Sequence, residues 1–378
     1  MTEEIPFNLP YLTGEELGSI SDAHKKGQLA GNGDYTKLCH EHLESFTKSK
    51  KAFLTHSCTA ALEMTALLLD IKQGDEVIMP SYTFVSTANA FALRGATIVW
   101  VDIREDTLNI DEEKIEAAIT GNTVAIVVVH YAGVAAEMDK ILSIAKTSNI
   151  YVVEDAAQGV SAYYKEKHLG SMGHLGCLSF HETKNVISGE GGALLVNDEN
   201  FIDRAKLIWE KGTNRESFSL GLVEKYEWVD LGSSYLPGEI IAAFLYPQLK
   251  KTKSITDSRL AIWNKYKSQL SDLEKSGSLR LPIIPKNCTH NAHLFYIILK
   301  DVFDRRRFIA DMLKSSINCV FHYTPLHSSP AGLKYGRVSE ELIITEYIAK
   351  QLIRLPIWVG MGLKADGVVS EIKKTINQ

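Results

Sequence analysis

The sequence predicts an α/β fold: a mostly parallel central sheet covered by helices, followed by a smaller C-terminal α+β unit. Two observations carry this. Between about residues 50 and 200, short apolar runs alternate with segments of helical period, the pattern of buried strands joined by crossover helices. After a long helical stretch over 238–273, the remaining residues mix strands and helices without that alternation. The 378 residues, 45% hydrophobic and 23% charged, suffice for one large unit, a smaller one and a deep cleft.

In chain order, the strands are expected at 52–54, 76–79, 97–101, 124–130, 151–154, 177–180 and 193–196. Helices are expected between them at 59–69, 86–93, 111–119 and 138–147, with Asp111 a natural N-cap before Glu-Glu-Lys-Ile. The C-terminal part should hold strands at 293–299 and 319–322 and helices at 305–313, 340–352 and 366–376. The division is expected near residue 240. Residues 1–240 then form the large unit with its N-terminal segment, and 241–378 the linking helix and small unit.

Charge and cysteine content exclude several function classes. A net charge of -5 and a pI near 6.2 leave no basic surplus, so nucleic acid is not expected as a partner. No apolar run approaches the ~18 residues that span a bilayer. The start, Met1-Thr-Glu-Glu-Ile-Pro-Phe-Asn, is acidic and lacks the basic and apolar regions of a signal peptide. Cys39, Cys58, Cys177, Cys288 and Cys319 are scattered, odd in number and never in CxxC spacing. Neither a metal site nor a disulfide framework is expected, and a reduced cytoplasmic compartment fits.

Three motifs bear chemistry. Tyr151-Val-Val-Glu-Asp-Ala-Ala-Gln158 is an apolar run ending in two carboxylates, and parallel sheets bind ligands at the carboxyl ends of their strands. Alone, Asp155 reads equally as a loop acid or helix cap. Ser179-Phe-His-Glu-Thr-Lys184-Asn then sets a lysine in a loop between two apolar runs, with Gly189-Glu-Gly-Gly192 after it. Burying that amine is costly unless a partner or a Schiff base consumes its charge. The glycines would let the backbone pass close to a planar ligand. Thr55-His-Ser-Cys-Thr59 turns a strand into a helix through small hydroxyl residues. Such an N-terminus offers free N–H groups and a positive dipole end to a phosphate, although Ser57 or Thr59 also reads as a plain cap.

Taken together, the motifs meet the needs of pyridoxal 5′-phosphate (PLP): a lysine for its aldehyde, an acid for its pyridine nitrogen and an anchor for its phosphate. Asp155 would keep the nitrogen protonated. Lys184, once displaced by an incoming amine, would move protons as general base and acid.

These residues, in this order, resemble the DegT/DnrJ/EryC1/StrS nucleotide-sugar aminotransferase family. The resemblance runs from Ile5-Pro-Phe-Asn through Pro80-Ser-Tyr-Thr-Phe84, Glu154–Gln158 and Ser179–Lys184 to Leu355-Pro-Ile. It implies PLP fold-type I (aspartate aminotransferase-like), with Phe84 stacked on the ring, Gln158 beside the ring hydroxyl, and Ser179, Ser57, Cys58 and Thr59 around the phosphate. It further implies a homodimer with shared active sites. Gly232-Ser-Ser-Tyr-Leu carries Ser234 where the family's partner subunit often supplies an asparagine. Lys184 separates the chain from a dehydratase branch that has histidine there.

Val129-His-Tyr-Ala-Gly133 and Phe180-His-Glu-Thr-Lys-Asn185 most resemble members that aminate carbon 4 of a dTDP-4-dehydro-6-deoxy sugar with glutamate as donor. A gluco product or a 3-amino product stays open. Arg215, His322 and His327 are candidate contacts to the sugar nucleotide, and surface solvation explains them equally well. An NAD-dependent sugar-nucleotide enzyme would need GxGxxG after a strand, which is missing. A catalytically silent regulator on the same fold is the remaining alternative, against which the Asp155–Lys184 pair argues.

Overall fold

The computed structural model describes residues 4–377; Met1–Glu3 of the N-terminal stretch and Gln378 lie outside the described residues. The seven apolar runs of the N-terminal half all become strands. They are β1 (Lys51–Thr55), β2 (Glu76–Pro80), β3 (Thr97–Val101), β4 (Thr123–Val129), β5 (Tyr151–Asp155), β6 (Leu175–Ser179) and β7 (Gly192–Val196). A short eighth strand, β8 (Gly336–Val338), joins them from far along the chain. The sheet order is β1-β7-β6-β5-β4-β2-β3-β8. Only β7 runs against its neighbours, pairing antiparallel with both β1 and β6; the other ladders are parallel.

The strands lack polar alternation because both faces are covered. Val77, Met79, Ala125 and Val127 pack into one core, while Ile78, Ile126 and Val128 pack into the other. A third core gathers residues between Ile262 and Ile376 around a three-stranded sheet of Leu279–Arg280, Phe295–Leu299 and Leu352–Leu355. The N-terminal segment docks on this third core. Ile5 bridges Ile317, and Trp358 Nε1 donates to the Pro6 carbonyl at 3.1 Å.

The structure differs from the expected elements at several places. The helical stretch over 238–273 is three helices, Glu239–Lys250, Thr252–Gln269 and Ser271–Lys275, interrupted at Lys251 and Leu270. The helix expected at 111–119 is a 3-10 turn at Glu112–Lys114 followed by Ile115–Ala118, with Asp111 accepting from Glu113 N–H as the expected cap. No strand forms at 319–322 beyond a single bridge from Val320 to Arg354. The Phe321 carbonyl is taken instead by the Arg354 guanidinium. Two helices not anticipated, Glu16–Lys26 and Asp34–Thr47, precede β1.

Candidate active site

β5 and β6 are neighbours in the sheet, so their carboxyl ends bring the Glu154–Gln158 and Ser179–Lys184 segments side by side. A cavity of about 770 Å³ opens there. Asp155, Gln158, Ser179, Lys184, Phe84 and His322 are among its lining residues, as are Ser57, Cys58 and Thr59. Of the twelve candidate residues, all but Ser234, Arg215 and His327 share this one concavity, nine in all.

Alternation along β5 sends its two carboxylates opposite ways. Glu154 turns from the cavity and accepts from Gly170, Met172 and Gly173 N–H at 2.7, 2.6 and 2.5 Å. His130 Nε2 lies 2.8 Å from it. Ala136 N–H donates to His130 Nδ1, so the proton is on Nε2 and points to Glu154. Burial would raise the Glu154 pKa, but His130 and these amides hold it below the usual carboxylate value.

Asp155 faces the cavity. Its Oδ2 accepts from Thr87 Oγ1 at 2.7 Å and its Oδ1 from Ala157 N–H at 3.1 Å. Burial pushes its pKa up, opposed by those two donors and by the charge on Lys184. The Lys184 amine is driven the other way. Burial lowers its pKa, while Cys58 and Asp155 resist and Arg354 adds to the lowering. An acid and an amine thus share one desolvated site and bear on each other's protonation, a mark of sites where protons move.

The helix Cys58–Leu68 points its N-terminus at the same cavity. Ser57 caps it, accepting from Ala60 N–H at 3.1 Å, and its first amides have no intrahelical partner. Thr59 and Ser86 hydroxyls meet at 2.7 Å beside it. Gly192, at the start of β7, passes so close that a Cβ there would lie 2.4 Å from the Cys58 nitrogen. That glycine was expected to admit a ligand; the structure shows it admits the Ser57–Cys58 backbone. Phe84 is 57% exposed at the rim, its ring free to cover a ligand.

The opposite wall comes from the C-terminal part and was largely missed. Gln158 Nε2 donates to Tyr323 Oη at 2.9 Å, and its Oε1 accepts from Ala132 N–H. His322 stacks on Tyr323 with ring centroids 3.7 Å apart, and its Nδ1 is 2.7 Å from Tyr131 Oη. Burial, then Arg354 and Lys184, keep it neutral. Arg354, His293 and Phe7 also line this wall. Only Arg354 left a local trace, a lone charge inside the apolar run Leu352-Ile-Arg-Leu355.

Three expected site residues lie elsewhere. Arg215 begins the exposed short helix Arg215–Ser219, and Ser234 is exposed, bridged to Glu210. His327 is held between Ser81 Oγ at 2.8 Å and Glu346 at 3.3 Å. None lines the cavity within this chain.

The donor set fits PLP: a carboxylate and an amine at opposite ends of the shift in protonation, a helix N-terminus flanked by hydroxyls, and an exposed aromatic ring. Comparison with known proteins agrees. The model of the DegT/DnrJ/EryC1/StrS aminotransferase family matches residues 10–373. An uncharacterized protein of Methanocaldococcus jannaschii is 34% identical over 381 residues, covering 99% of this chain and 97% of the relative. Among solved structures, the aminotransferase TlmJ from Streptoalloteichus hindustanus has a TM-score of 0.91 at 25% identity, covering 99% of each chain. DesV of S. venezuelae, in complex with a ketimine intermediate, has a TM-score of 0.91 at 27% identity and covers 100% of each. The aminotransferase from Psychrobacter cryohalolentis has a TM-score of 0.91 at 26% identity, covering 99% of each.

Proposed function

The chain belongs to the DegT/DnrJ/EryC1/StrS aminotransferase family and is a PLP-dependent sugar aminotransferase, and from that premise we propose that it moves the amino group of glutamate to carbon 4 of dTDP-4-dehydro-6-deoxyglucose, giving dTDP-4-amino-4,6-dideoxygalactose. The observation that carries the reading is the pairing of Lys184 and Asp155 in one cavity at the carboxyl ends of β5 and β6.

When bound, PLP supplies an electrophilic carbon for the amine and a ring that accepts the electron pair left by a departing proton. Lys184 holds the cofactor and, when free, takes the proton from the donor's α-carbon and returns one to the sugar carbon. The lowering of its pKa by burial favours the neutral form that acts as base. Asp155, its lone pairs steered by Thr87 and Ala157, would hold a negative charge against the ring nitrogen. Ser57, Thr59, Ser179 and the first amides of the helix Cys58–Leu68 hold the phosphate. Phe84 would cover one ring face, and Gln158 would stand by the ring hydroxyl.

The carbon-4 and galacto assignments rest on the Val129–Gly133 and Phe180–Asn185 stretches. Val129, His181 and Thr183 from them line the cavity, whereas His130 turns back to Glu154. The enzyme works as a cytoplasmic homodimer, in which Ser234 and Arg215 reach the neighbouring subunit's site. The exposed apolar run with Leu220, Leu222 and Trp228 supports such an interface. Among the described residues no helix is long and apolar enough to cross a membrane. The large unit comprises residues 1–240 and the small one 241–378.

Incubation with dTDP-4-dehydro-6-deoxyglucose and glutamate, followed by NMR of the product, tests the reading. Small couplings from the carbon-4 proton to its neighbours are expected for an axial amine. Large couplings would overturn the galacto assignment, and an unchanged keto sugar would overturn the substrate.

A further inference from the structure

We infer that His293 is the acceptor for the Lys184 amine once that amine has left the cofactor, and so the positioning residue that aims its lone pair at the carbon whose proton it moves. The inference deepens the transaminase reading and rests on Lys184 carrying the cofactor.

The neighbours of His293 fix its tautomer. Asn185 Nδ2 donates to the Asn291 carbonyl at 2.9 Å, which leaves Asn185 Oδ1 facing His293 Nδ1 at 3.1 Å. Reversing that amide would set two oxygens against each other. An amide oxygen only accepts, so the imidazole proton is on Nδ1 and Nε2 keeps a bare lone pair. Burial first, then the charges of Lys184, Arg259 and Arg354, hold the ring neutral. His322 is a further titratable group near it, itself held neutral by burial.

The surrounding turn is built to hold that ring. Asn291 Nδ2 donates to the Gln158 and Val160 carbonyls, both at 2.8 Å, and its Oδ1 accepts from His293 N–H at 3.0 Å. These contacts tie the turn to the segment that follows Asp155. Ala292 takes a left-handed φ of 52°, an unfavourable conformation for a residue with a Cβ. Arg259, 3% exposed, spends its Nε and Nη2 on the Ala292 and His293 carbonyls at 3.1 and 2.8 Å. A strained residue, a buried guanidinium and two asparagine side chains thus serve one imidazole, more than a space-filling wall residue requires.

Lys184 is the donor that suits this acceptor. Both residues line the cavity. Asn185, which orients the ring, is next in the chain after Lys184, so lysine and imidazole share one support. The Lys184 amine has no hydrogen-bonding partner among the groups that shift its pKa, and its charge bears on His293. The arginines of the wall are committed, Arg259 as above and Arg354 to the Phe321 carbonyl at 3.1 and 3.0 Å. A freed amine carries two hydrogens and one lone pair, and on a flexible four-carbon stem that lone pair has no fixed direction. An acceptor for one hydrogen sets it. A neutral acceptor does so without stabilising the ammonium as strongly as a carboxylate would, and the lysine remains a base.

The test reads the donor half-reaction of the holoenzyme, the change in cofactor absorbance on mixing with L-glutamate, which needs no sugar. His293→Phe keeps the bulk and removes the acceptor. It is expected to slow this step by about 10- to 100-fold, the scale of leaving a buried donor unpaired. It should also widen the rate difference between glutamate and its α-deuterated form, because proton removal becomes limiting. Calorimetric affinity for α-methyl-L-glutamate, which has no α-proton, should stay within about twofold. His293→Gln, whose amide oxygen accepts, should recover part of the rate. Asn185→Asp sets a carboxylate behind Nδ1 and raises the imidazole pKa, so its rate should fall on the acid side at higher pH than that of the wild type, as Nε2 takes up a proton. An unchanged donor half-reaction in His293→Phe, a loss matched by weaker α-methyl-L-glutamate binding, or a loss confined to the sugar half-reaction would overturn the assignment. Failure to aminate the keto sugar would strike the proposed substrate alone, because no sugar enters the donor measurements.

Discussion

Thr87 Oγ1 donates to Asp155 Oδ2 across 2.7 Å, tying the first turn of the helix Val85–Ala92 to the carboxyl end of β5. Thr83 Oγ1 is 2.8 Å from Thr87 Oγ1. Because the Thr87 proton is committed to the carboxylate, Thr83 donates to Thr87, and two hydroxyls in series support one charge.

Thr87→Val keeps the shape and removes the donor. Asp155, already raised by burial, should protonate at still higher pH, moving the acid limb of kcat/KM upward and lowering kcat about 10-fold. Thr87→Ser should restore both. A pH profile identical to wild type would mean that Thr87 does not act through Asp155. Removing the carboxylate itself, Asp155→Asn, should cost roughly 10²-fold or more in rate with little loss of folding.

Glu154 provides a separate pH test, of stability. Its folded pKa lies below the unfolded value of 4.5. Between those two values the unfolded chain binds more protons, so stability is present above 4.5 and lost as pH falls through the folded pKa. Glu154→Gln leaves three amides and His130 facing a group that cannot accept from all of them. Urea unfolding at neutral pH should read a loss of about 3 kcal/mol and a flatter acid limb. Equal acid sensitivity in the variant would assign that limb to other carboxylates.

At Gly192, Ala should be poorly tolerated. A Cβ would meet the Ser57 and Cys58 backbone at 2.4 Å, and backbone cannot move aside as a flexible side chain does. Overpacking of about 1–3 kcal/mol is expected, together with weaker PLP binding, because the displaced atoms form the phosphate cradle. Spectroscopic titration of the apoenzyme with PLP checks the second effect; wild-type affinity would detach this turn from the cofactor.

Assembly is open to a direct test through Trp228, which is 76% exposed among other apolar side chains. Light scattering should read a dimer for the wild type and a monomer of much reduced activity for Trp228→Glu. A wild-type monomer with full activity would exclude shared sites.

How far the sequence reveals this site depends on how local each signal is. Asp155, Lys184 and Ser57 each end or follow an apolar run, so the strand pattern alone puts them at one sheet edge. Thr87 and His293 carry no such mark; Thr87 reaches Asp155, and His293 the cavity, only through tertiary packing. β8 was illegible for a similar reason. Its three residues, Gly336-Arg-Val338, are too few for a periodic signal and pair with β3 across more than half the chain. Its anchor is the two-point contact of Arg337 with Glu76, at 2.7 and 2.8 Å. The segment 319–322 looked like a strand because it is apolar, yet Arg354 claims the carbonyl that a ladder would need.

Borohydride reduction of the holoenzyme, followed by peptide mapping, reads which residue carries the cofactor. The label is expected on Lys184 alone, with Lys184→Ala folded, inactive and unlabelled while still retaining PLP through the phosphate cradle. A label on any other lysine, or a Lys184→Ala variant that turns over normally, would contradict the assignment on which the proposed chemistry depends.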